Sequence, residues 1–139
     1  MIDILKKYNN GSFNFSLGQS LGILCNAPKG LSGVYIVYDS TRTDKPIYIG
    51  SSGRMLSNGV IEHRNDGLYG RIVNGKQFDK PRKISWPQKM QEQKINKLLI
   101  NWYITFNGNI IDIPKYVEAV LLQNHFDLFN ELPAWNKSF

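Results

Sequence analysis

Two short runs rich in β-branched and aromatic residues constrain the fold of this 139-residue chain more than any other feature. The first run, residues 33–39, reads GVYIVYD, and the second, residues 46–50, reads PIYIG, with the turn-forming residues STRTDK between them. Runs of this composition favour strands, and a polar connector of this kind is typical of an antiparallel hairpin. Since residues two apart share one face of a strand, Tyr35 and Tyr48 meet on one surface if the register aligns them.

The two tyrosines allow two interpretations. They fit a hairpin whose aromatic residues are core or cross-strand partners. They also fit a binding surface, because Gly50 ends the second run and a glycine after a strand lets the backbone approach a ligand closely. The local pattern leaves both interpretations open.

Two further elements are predicted after the hairpin. Residues 98–106 read LLINWYITF, which favours a third strand, and Asn107-Gly108-Asn109 ends it. Pro114 then starts a helix with a regularly spaced apolar side. The pattern predicts an α+β fold, with a small central antiparallel sheet of about three strands flanked by helices.

Residues 1–30 are predicted to form an N-terminal extension before a main domain that spans residues 31–139. Residues 1–8 suit a short helix, and Phe13, Phe15 and Leu17 alternate as in a short strand. Gly and Pro residues then break the chain before the hairpin. A role of this extension in packing, in a dimer interface or in DNA contact remains open.

A basic segment is predicted as an insertion at about residues 51–97. Between Arg42 and Lys97 the chain carries 12 Lys and Arg against 5 Asp and Glu, which places the whole excess of the +6 net charge here. We expect a loop over residues 51–59, a helix from Val60 that carries His63, Arg64 and Arg71, and a helix opened by Pro87. The charge indicates a polyanionic partner or a solvated basic surface.

The same residue counts limit the chemistry. With one cysteine, Cys25, the chain has neither an internal disulfide nor a cysteine zinc cluster, and a buried structural thiol is expected. Two histidines are too few for a histidine-rich metal site, so any metal is expected to be a hard cation held by oxygen. The absence of a long apolar run and of a signal-peptide layout predicts a cytoplasmic protein without a membrane partner.

Two polar residues near the end of the chain have more than one interpretation. Glu118, in the first turn of the predicted helix, is a helix-dipole partner or a metal ligand. Asn136 lies in the sequence PAWN and either caps a turn or holds a neighbouring element. Residue chemistry alone does not choose between these roles.

The order of these elements resembles the GIY-YIG nuclease family. That family has two strands with the GIY and YIG elements, a helix with an essential arginine, a third strand, a helix with a metal-binding glutamate, and a late asparagine. The matching features here, in the same order, are Gly33-Val34-Tyr35, Tyr48-Ile49-Gly50, Arg71, residues 98–106, Glu118 and Asn136. The resemblance covers about residues 31–137. Because His63 precedes Arg71 by about two turns, the chain is most similar to the small restriction-endonuclease-type members.

The resemblance implies a metal-dependent, site-specific endonuclease that hydrolyses phosphodiester bonds in double-stranded DNA. Glu118 would bind Mg²⁺ or Mn²⁺, one ion per active site, and Arg71 would place its charge on the scissile phosphate. Cleavage of both strands at a symmetric site implies a homodimer. The residues expected to contact DNA are Arg54, Arg64, Lys76, Arg82, Lys83 and Gln88.

The remaining matched residues receive supporting roles from the same resemblance. Tyr48 would orient or deprotonate the attacking water, Tyr35 would assist, and His63 would assist or substitute for them. Asn136 would hold the glutamate helix or a tyrosine in place. A phenol ordinarily loses its proton near pH 10, so nearby positive charge has to lower the pKa of a tyrosine that acts as a base.

Several alternatives remain at this stage. Arg64 and Arg54 compete with Arg71 for the essential arginine, and Asn124 competes with Asn136. A repair, mobile-element or phage nuclease with looser specificity fits the same motifs. A non-catalytic basic module that binds nucleic acid also fits, with the tyrosines in the core and Glu118 as a helix cap.

Overall fold

The structure, a computed structural model, describes residues 2–139 and contains a four-stranded antiparallel sheet between helices. The elements follow one another as a 3₁₀ helix (Ile2–Leu5), β1 (Asn9–Ser16), α1 (Leu21–Leu24), β2 (Ser32–Asp39), β3 (Tyr48–Ser52), β4 (Arg54–Met55), β5 (Ile61–Glu62), α2 (Gly67–Asn74), β6 (Lys76–Gln77), β7 (Lys80–Pro81), α3 (Arg82–Gln93), β8 (Lys97–Phe106) and α4 (Pro114–Phe129). The predicted α+β class is confirmed.

The sheet has one strand more than expected. Its order is β1-β8-β2-β3, and β1 pairs with β8 from Asn9↔Ile104 to Ser16↔Lys97. Phe13 and Phe15 of β1 are buried, so this strand both completes the hydrogen bonding of β8 and contributes to the core. Part of the predicted extension is therefore a strand of the sheet. The predicted helix over residues 1–8 is reduced to Ile2–Leu5, and Met1 lies outside the described residues.

The helices cover opposite faces of the sheet. On one face, α2 and α3 pack through Leu68, Ile72 and Trp86 against a core that includes Tyr35 and Val37 of β2. On the other face, α4 packs against the alternate residues of the hairpin; that core contains Val34, Ile36, Ile49, Val117 and Leu121. Since β3 is an edge strand, side chains from both helical layers can meet beside it.

The predicted helix from Val60 is wrong over its first half. The chain instead forms a small hairpin of β4 and β5, and α2 begins only at Gly67. Gly59 lies in the turn of this hairpin with φ +84°, a conformation that glycine adopts readily. Val60 and Ile61 are β-branched, which also favours extended backbone over helix.

The later helices correct two smaller expectations. Pro87 lies inside α3, which begins at Arg82. Because proline has no N–H, it donates no hydrogen bond to the carbonyl four residues earlier, which belongs to the exposed residue Lys83. The helix predicted from Pro114 is confirmed, but Glu118 is its fifth residue and lies in the second turn. Within the part of the chain that the structure describes, each helix is too short or too polar to span a bilayer.

Candidate active site

The two tyrosines lie side by side on one face of the β2–β3 hairpin. The register pairs Tyr35 with Gly50 and Val37 with Tyr48, so both rings point to the face that α2 and α3 cover. Their ring centroids are 5.9 Å apart, and the ring planes are tilted by 41°. The expected meeting of the two tyrosines on one surface is confirmed.

The glycines of the two motifs are explained by close approaches. A Cβ atom on Gly50 would lie 2.6 Å from Cζ of Tyr35 and 2.8 Å from Cε2 of Tyr48. Any side chain there would force the two rings apart. A Cβ atom on Gly33 would overlap the backbone carbonyl of Tyr103 in β8. Glycine at these positions therefore serves the packing of the hairpin and of the tyrosine pair.

Tyr35 is completely buried, with 0% of its surface exposed. Its hydroxyl has no hydrogen-bond partner among the described residues. Burial raises the pKa of Tyr35 to about 12, although Arg82 and Arg71 act in the opposite direction. Tyr35 therefore holds its proton at neutral pH and is a hydrogen-bond donor rather than a base.

Arg71 lies on α2 and is half-buried beside the tyrosines. Burial alone would lower the pKa of its guanidinium, but Tyr35, Tyr48 and Glu118 raise it, and the net shift is upward. Its buried Nε has no hydrogen-bond partner in the described chain, and no well-aligned bond joins it to Tyr35. The Nε of Arg71 and the hydroxyl of Tyr35 are thus two buried polar atoms without a hydrogen-bond partner among the described residues, which is uncommon in folded proteins.

Glu118 reaches the edge of the sheet from the opposite layer. It is only 6% exposed, and its Oε1 accepts a hydrogen bond of 2.6 Å from Oγ of Ser51 on β3. Nζ of Lys115, one turn earlier on α4, lies 3.3 Å from the same oxygen, and the Lys115 side chain is 68% exposed. The carboxylate is therefore anchored to β3, and the neighbouring Lys115 cation is largely exposed to solvent.

Two open clefts meet where these groups converge. The first has a volume of about 400 Å³, and its lining includes Ser51, Arg54 and Arg64. The second has a volume of about 550 Å³, and its lining includes Tyr48 and Asn136. Both clefts are lined by Arg71, Lys115 and Glu118. These three residues form the junction of a groove along the β3 edge, which we call the β3 groove.

Asn136 holds the β3 strand from its open edge. Its Oδ1 accepts a hydrogen bond of 3.0 Å from the amide of Ile49, and its Nδ2 donates one of 2.9 Å to the Ile49 carbonyl. The backbone amide of the preceding Trp135 donates to the Ile47 carbonyl at 2.8 Å. Asn136 thus pairs like an additional strand residue next to Tyr48. Asn124, on α4, does not line either cleft.

His63 is not on α2, so its expected place on the same helix as Arg71 is wrong. It lies between β5 and α2, is exposed, and its Nδ1 is 2.6 Å from the Oγ of buried Ser32. His63 does not line either cleft. His63 follows β5 and precedes α2, so it lies before the helix that carries Arg71.

Two rival arginines lie at the first cleft. Arg64, also expected on a helix, lies in the turn before α2, and burial together with Arg71 and Arg82 lowers its pKa. Arg54 is 73% exposed and forms a 2.6 Å ion pair with Glu62 across the small hairpin. Arg71 alone of these three contacts both clefts, so the geometry favours it as the central arginine.

Arg82 was expected on a DNA-contacting surface, and that expectation is wrong because the residue is only 1% exposed. The first turn of α3 packs onto β6 and α2, so the guanidinium of Arg82 points inward, toward the tyrosine pair. In the sequence, the feature that marks Arg82 is its position directly after Pro81, where α3 begins. That signal does not indicate which way the side chain points.

The other expected DNA contacts lie outside the groove. Lys76, Lys83 and Gln88 are exposed, and none of them lines either cleft. Lys83 and Gln88 belong to α3, whereas Lys76 belongs to the short β6–β7 hairpin. They remain available for contacts with the flanks of a long polyanion.

No protein-family model matches the chain, and no curated protein is recognisably similar to it. The assignment of this site therefore depends on its own geometry and on the motif order.

The groove suits a hydrated divalent cation held by one carboxylate. Among the described residues, no group of three or more His, Cys, Asp and Glu side chains converges, and Glu118 is the carboxylate that lines both clefts. Mg²⁺ requires less, because it usually keeps several waters and binds through one or two carboxylates. Glu118 offers a carboxylate oxygen at an open groove, and the Lys115 side chain beside that oxygen is largely exposed. The donor set therefore fits Mg²⁺ or Mn²⁺.

Proposed function

We propose that this protein is a metal-dependent endonuclease that cleaves double-stranded DNA at specific sites, as type II restriction enzymes do. The observation that carries the proposal is the junction at the β3 edge, where Arg71 from one helical layer meets Glu118 from the other. The motif order that resembles the GIY-YIG family agrees with this junction. A cytoplasmic location belongs to the same proposal.

The shape of the β3 groove suits one strand of a polynucleotide. Its two clefts extend to either side of the junction, so a backbone lying along it would place one phosphate beside Arg71 and Glu118. Arg64 and Lys115 would contact this phosphate or its neighbours, since both line the first cleft. Arginine and lysine are the side chains that most often bind phosphate oxygens.

The protein groups have separable tasks in hydrolysis. Arg71 stabilises charge that builds on the phosphoryl oxygens, since its guanidinium stays protonated at any working pH. Glu118 holds the cation and is itself fixed by Ser51. When bound, the metal polarises a phosphoryl oxygen and lowers the pKa of a coordinated water.

The two tyrosines differ in what they can do. Tyr48 lines the second cleft and is half-exposed, so its hydroxyl can orient the attacking water. Tyr35 is buried and keeps its proton, and its ring packs against the ring of Tyr48. His63 lies outside the lining of both clefts, and its Nδ1 is 2.6 Å from Oγ of Ser32.

A homodimer completes the proposal, because two active sites are needed to cut both strands of a symmetric sequence. The exposed basic residues of α3 and of the β6–β7 hairpin would then contact phosphates on both sides of the cut.

A non-catalytic DNA-binding module is the second candidate, and the ion pair of Lys115 with Glu118 favours it. In that case Glu118 is a structural carboxylate already satisfied by Ser51 and Lys115.

The decisive experiment incubates the protein with mixed-sequence duplex DNA in the presence of Mg²⁺ or of a chelator and maps the DNA ends. Discrete ends that require Mg²⁺ support the endonuclease, and scattered ends indicate looser specificity. Salt-dependent binding without any cleavage overturns the proposal.

A further inference from the structure

Arg82 is a buried cation without an acidic partner. It is 1% exposed, and none of the ion pairs in the described part of the chain includes it. An arginine in such a position ordinarily pairs with a carboxylate, because an isolated charge is costly to remove from water. Its burial therefore requires a reason beyond packing.

The partners of Arg82 are neutral and connect two parts of the site. Its Nε donates to Oε1 of Gln77 at 3.0 Å, and its Nη1 donates to the backbone carbonyl of Arg71 at 2.6 Å. Its Nη2 donates to the hydroxyl oxygen of Tyr48 at 3.1 Å. One rigid guanidinium thus joins the last turn of α2 to the tyrosine of the β3 groove.

Aromatic rings enclose the rest of the guanidinium. Its Cζ lies 5.6 Å from the ring centroid of Tyr35, 5.3 Å from that of Tyr48 and 5.7 Å from that of Trp86. Ring faces are attractive to cations, and they replace part of the lost hydration. A Cβ atom on Gly75 would overlap Nη1 of Arg82, so the glycine after α2 leaves the space that this side chain occupies.

We propose that Arg82 is a positioning residue that fixes the Tyr48 hydroxyl for the hydrolysis proposed above. This inference rests on the proposed function. The bond from Nη2 occupies one lone pair of the Tyr48 oxygen, which leaves its other lone pair and its proton for the water in the groove.

The chain offers variants that separate positioning from packing. Arg82→Met keeps the length of the side chain but removes its charge and donors, and Arg82→Lys keeps the charge with a different donor geometry. Ser85→Ala is a matched control, since Ser85 is buried on the same helix one turn later. Tyr48→Phe removes the hydroxyl on which Arg82 is proposed to act.

The first readout is the rate of single-turnover DNA cleavage with Mg²⁺. We expect Arg82→Met to slow cleavage by about 10- to 100-fold with DNA affinity little changed, because positioned acid–base groups contribute about 10²- to 10⁴-fold. We expect Arg82→Lys to restore part of the rate. The double variant that combines Arg82→Met with Tyr48→Phe should cleave no more slowly than Tyr48→Phe alone, since both changes act through the Tyr48 hydroxyl. Multiplicative losses in the double variant overturn the positioning role.

The second readout is independent of cleavage. Tyrosines labelled with ¹³C at Cζ report the hydrogen bonding of each hydroxyl, and Tyr48→Phe assigns the Tyr48 resonance by its disappearance. We expect Arg82→Met to move this resonance and Ser85→Ala to leave it in place. If Arg82→Met does not fold, Arg82→Lys carries the same comparison. An unmoved resonance in folded variants overturns the inference. A wild-type protein that binds but never cleaves DNA overturns the proposed function instead, while the resonance still decides whether Arg82 holds Tyr48.

Discussion

Replacing Asn136 with alanine should destabilise the protein by removing two hydrogen bonds from the edge of the sheet. The Asn136 amide bonds both the N–H and the carbonyl of Ile49, and Asn136 itself is half-buried. A hydrogen bond of this kind contributes about 1 kcal/mol to the free energy of unfolding. We therefore expect Asn136→Ala to lower the free energy of unfolding by about 2 kcal/mol. For a chain of this length, that loss corresponds to a fall in melting temperature of about 7 °C.

The loss should also reach the candidate active site, because Ile49 adjoins Tyr48 on β3. A shift of the strand moves the Tyr48 hydroxyl relative to the groove, and displacements of about 1 Å cost rates of about 100-fold in other enzymes. We expect Asn136→Ala to slow Mg²⁺-dependent cleavage by at least about 10-fold at a temperature where the variant is folded. Calorimetric melting and single-turnover cleavage measure the two effects.

Asn124→Ala is the matched control, since Asn124 lies on α4 away from both clefts. We expect this variant to keep the wild-type rate, and its melting temperature should change by less than about 2 °C, as is usual away from special structural features. A stable Asn136→Ala, or an equal loss in both variants, would refute the role assigned to the Asn136 amide. Asn136→Asp offers a further check, because a carboxylate accepts from the Ile49 N–H but repels the Ile49 carbonyl.

Three further predictions concern the tyrosine pair and the arginine. Gly50→Ala should lower the free energy of unfolding by about 1–3 kcal/mol in urea titrations, because its Cβ would lie 2.6 Å from Cζ of Tyr35. Burial raises the pKa of Tyr35 to about 12 from 10.0, so the folded protein keeps a proton that the unfolded chain releases above pH 10. The free energy of unfolding therefore falls as the pH rises above 10, and this fall should be smaller in Tyr35→Phe. Arg71→Lys should slow cleavage at least about 10-fold without preventing folding, since lysine lacks the planar fork of donors.

Each of these predictions has a result that contradicts it. A Gly50→Ala variant as stable as wild type would mean that the two rings separate without cost. If melting temperatures between pH 9 and about 12 fall equally in wild type and Tyr35→Phe, then Tyr35 does not titrate as its burial implies. The other tyrosines are unchanged in that comparison, so the difference isolates Tyr35. An Arg71→Lys variant that cleaves at the wild-type rate would indicate that Arg64, and not Arg71, is the essential arginine.

The hairpin, the third strand and α4 could be predicted because their signals are local. β-branched runs, a glycine-containing turn and Pro114 at a helix start specify these elements without long-range contacts. The shared face of Tyr35 and Tyr48 also follows from strand periodicity together with the register. Asn136 was expected to cap a turn, or to hold the glutamate helix or a tyrosine, and its amide instead bonds the backbone of Ile49 on β3, next to Tyr48.

Other features depend on contacts between distant parts of the chain. The alternation of Phe13, Phe15 and Leu17 indicates a short strand, but it does not show that this strand pairs with the edge of β8 and joins the sheet. His63 and Arg64 appeared helical from their apolar neighbours, but the turn at Gly59 directs that segment into the β4–β5 hairpin. Arg82 was expected at the surface, but it is buried, because the sequence does not indicate which side of the first turn of a helix faces the core.

The most direct test of the site compares two carboxylate variants in single-turnover cleavage of duplex DNA with Mg²⁺. Glu118→Gln preserves an acceptor for Ser51 but removes the charge at the junction, whereas Glu131→Gln removes an exposed carboxylate that pairs with Lys45. We predict that Glu118→Gln loses about 10³-fold in rate, because a bound metal contributes several kcal/mol to stabilising the transition state. Glu131→Gln should cleave like wild type. Equal rates in all three proteins would contradict an active site at the junction of Arg71 and Glu118.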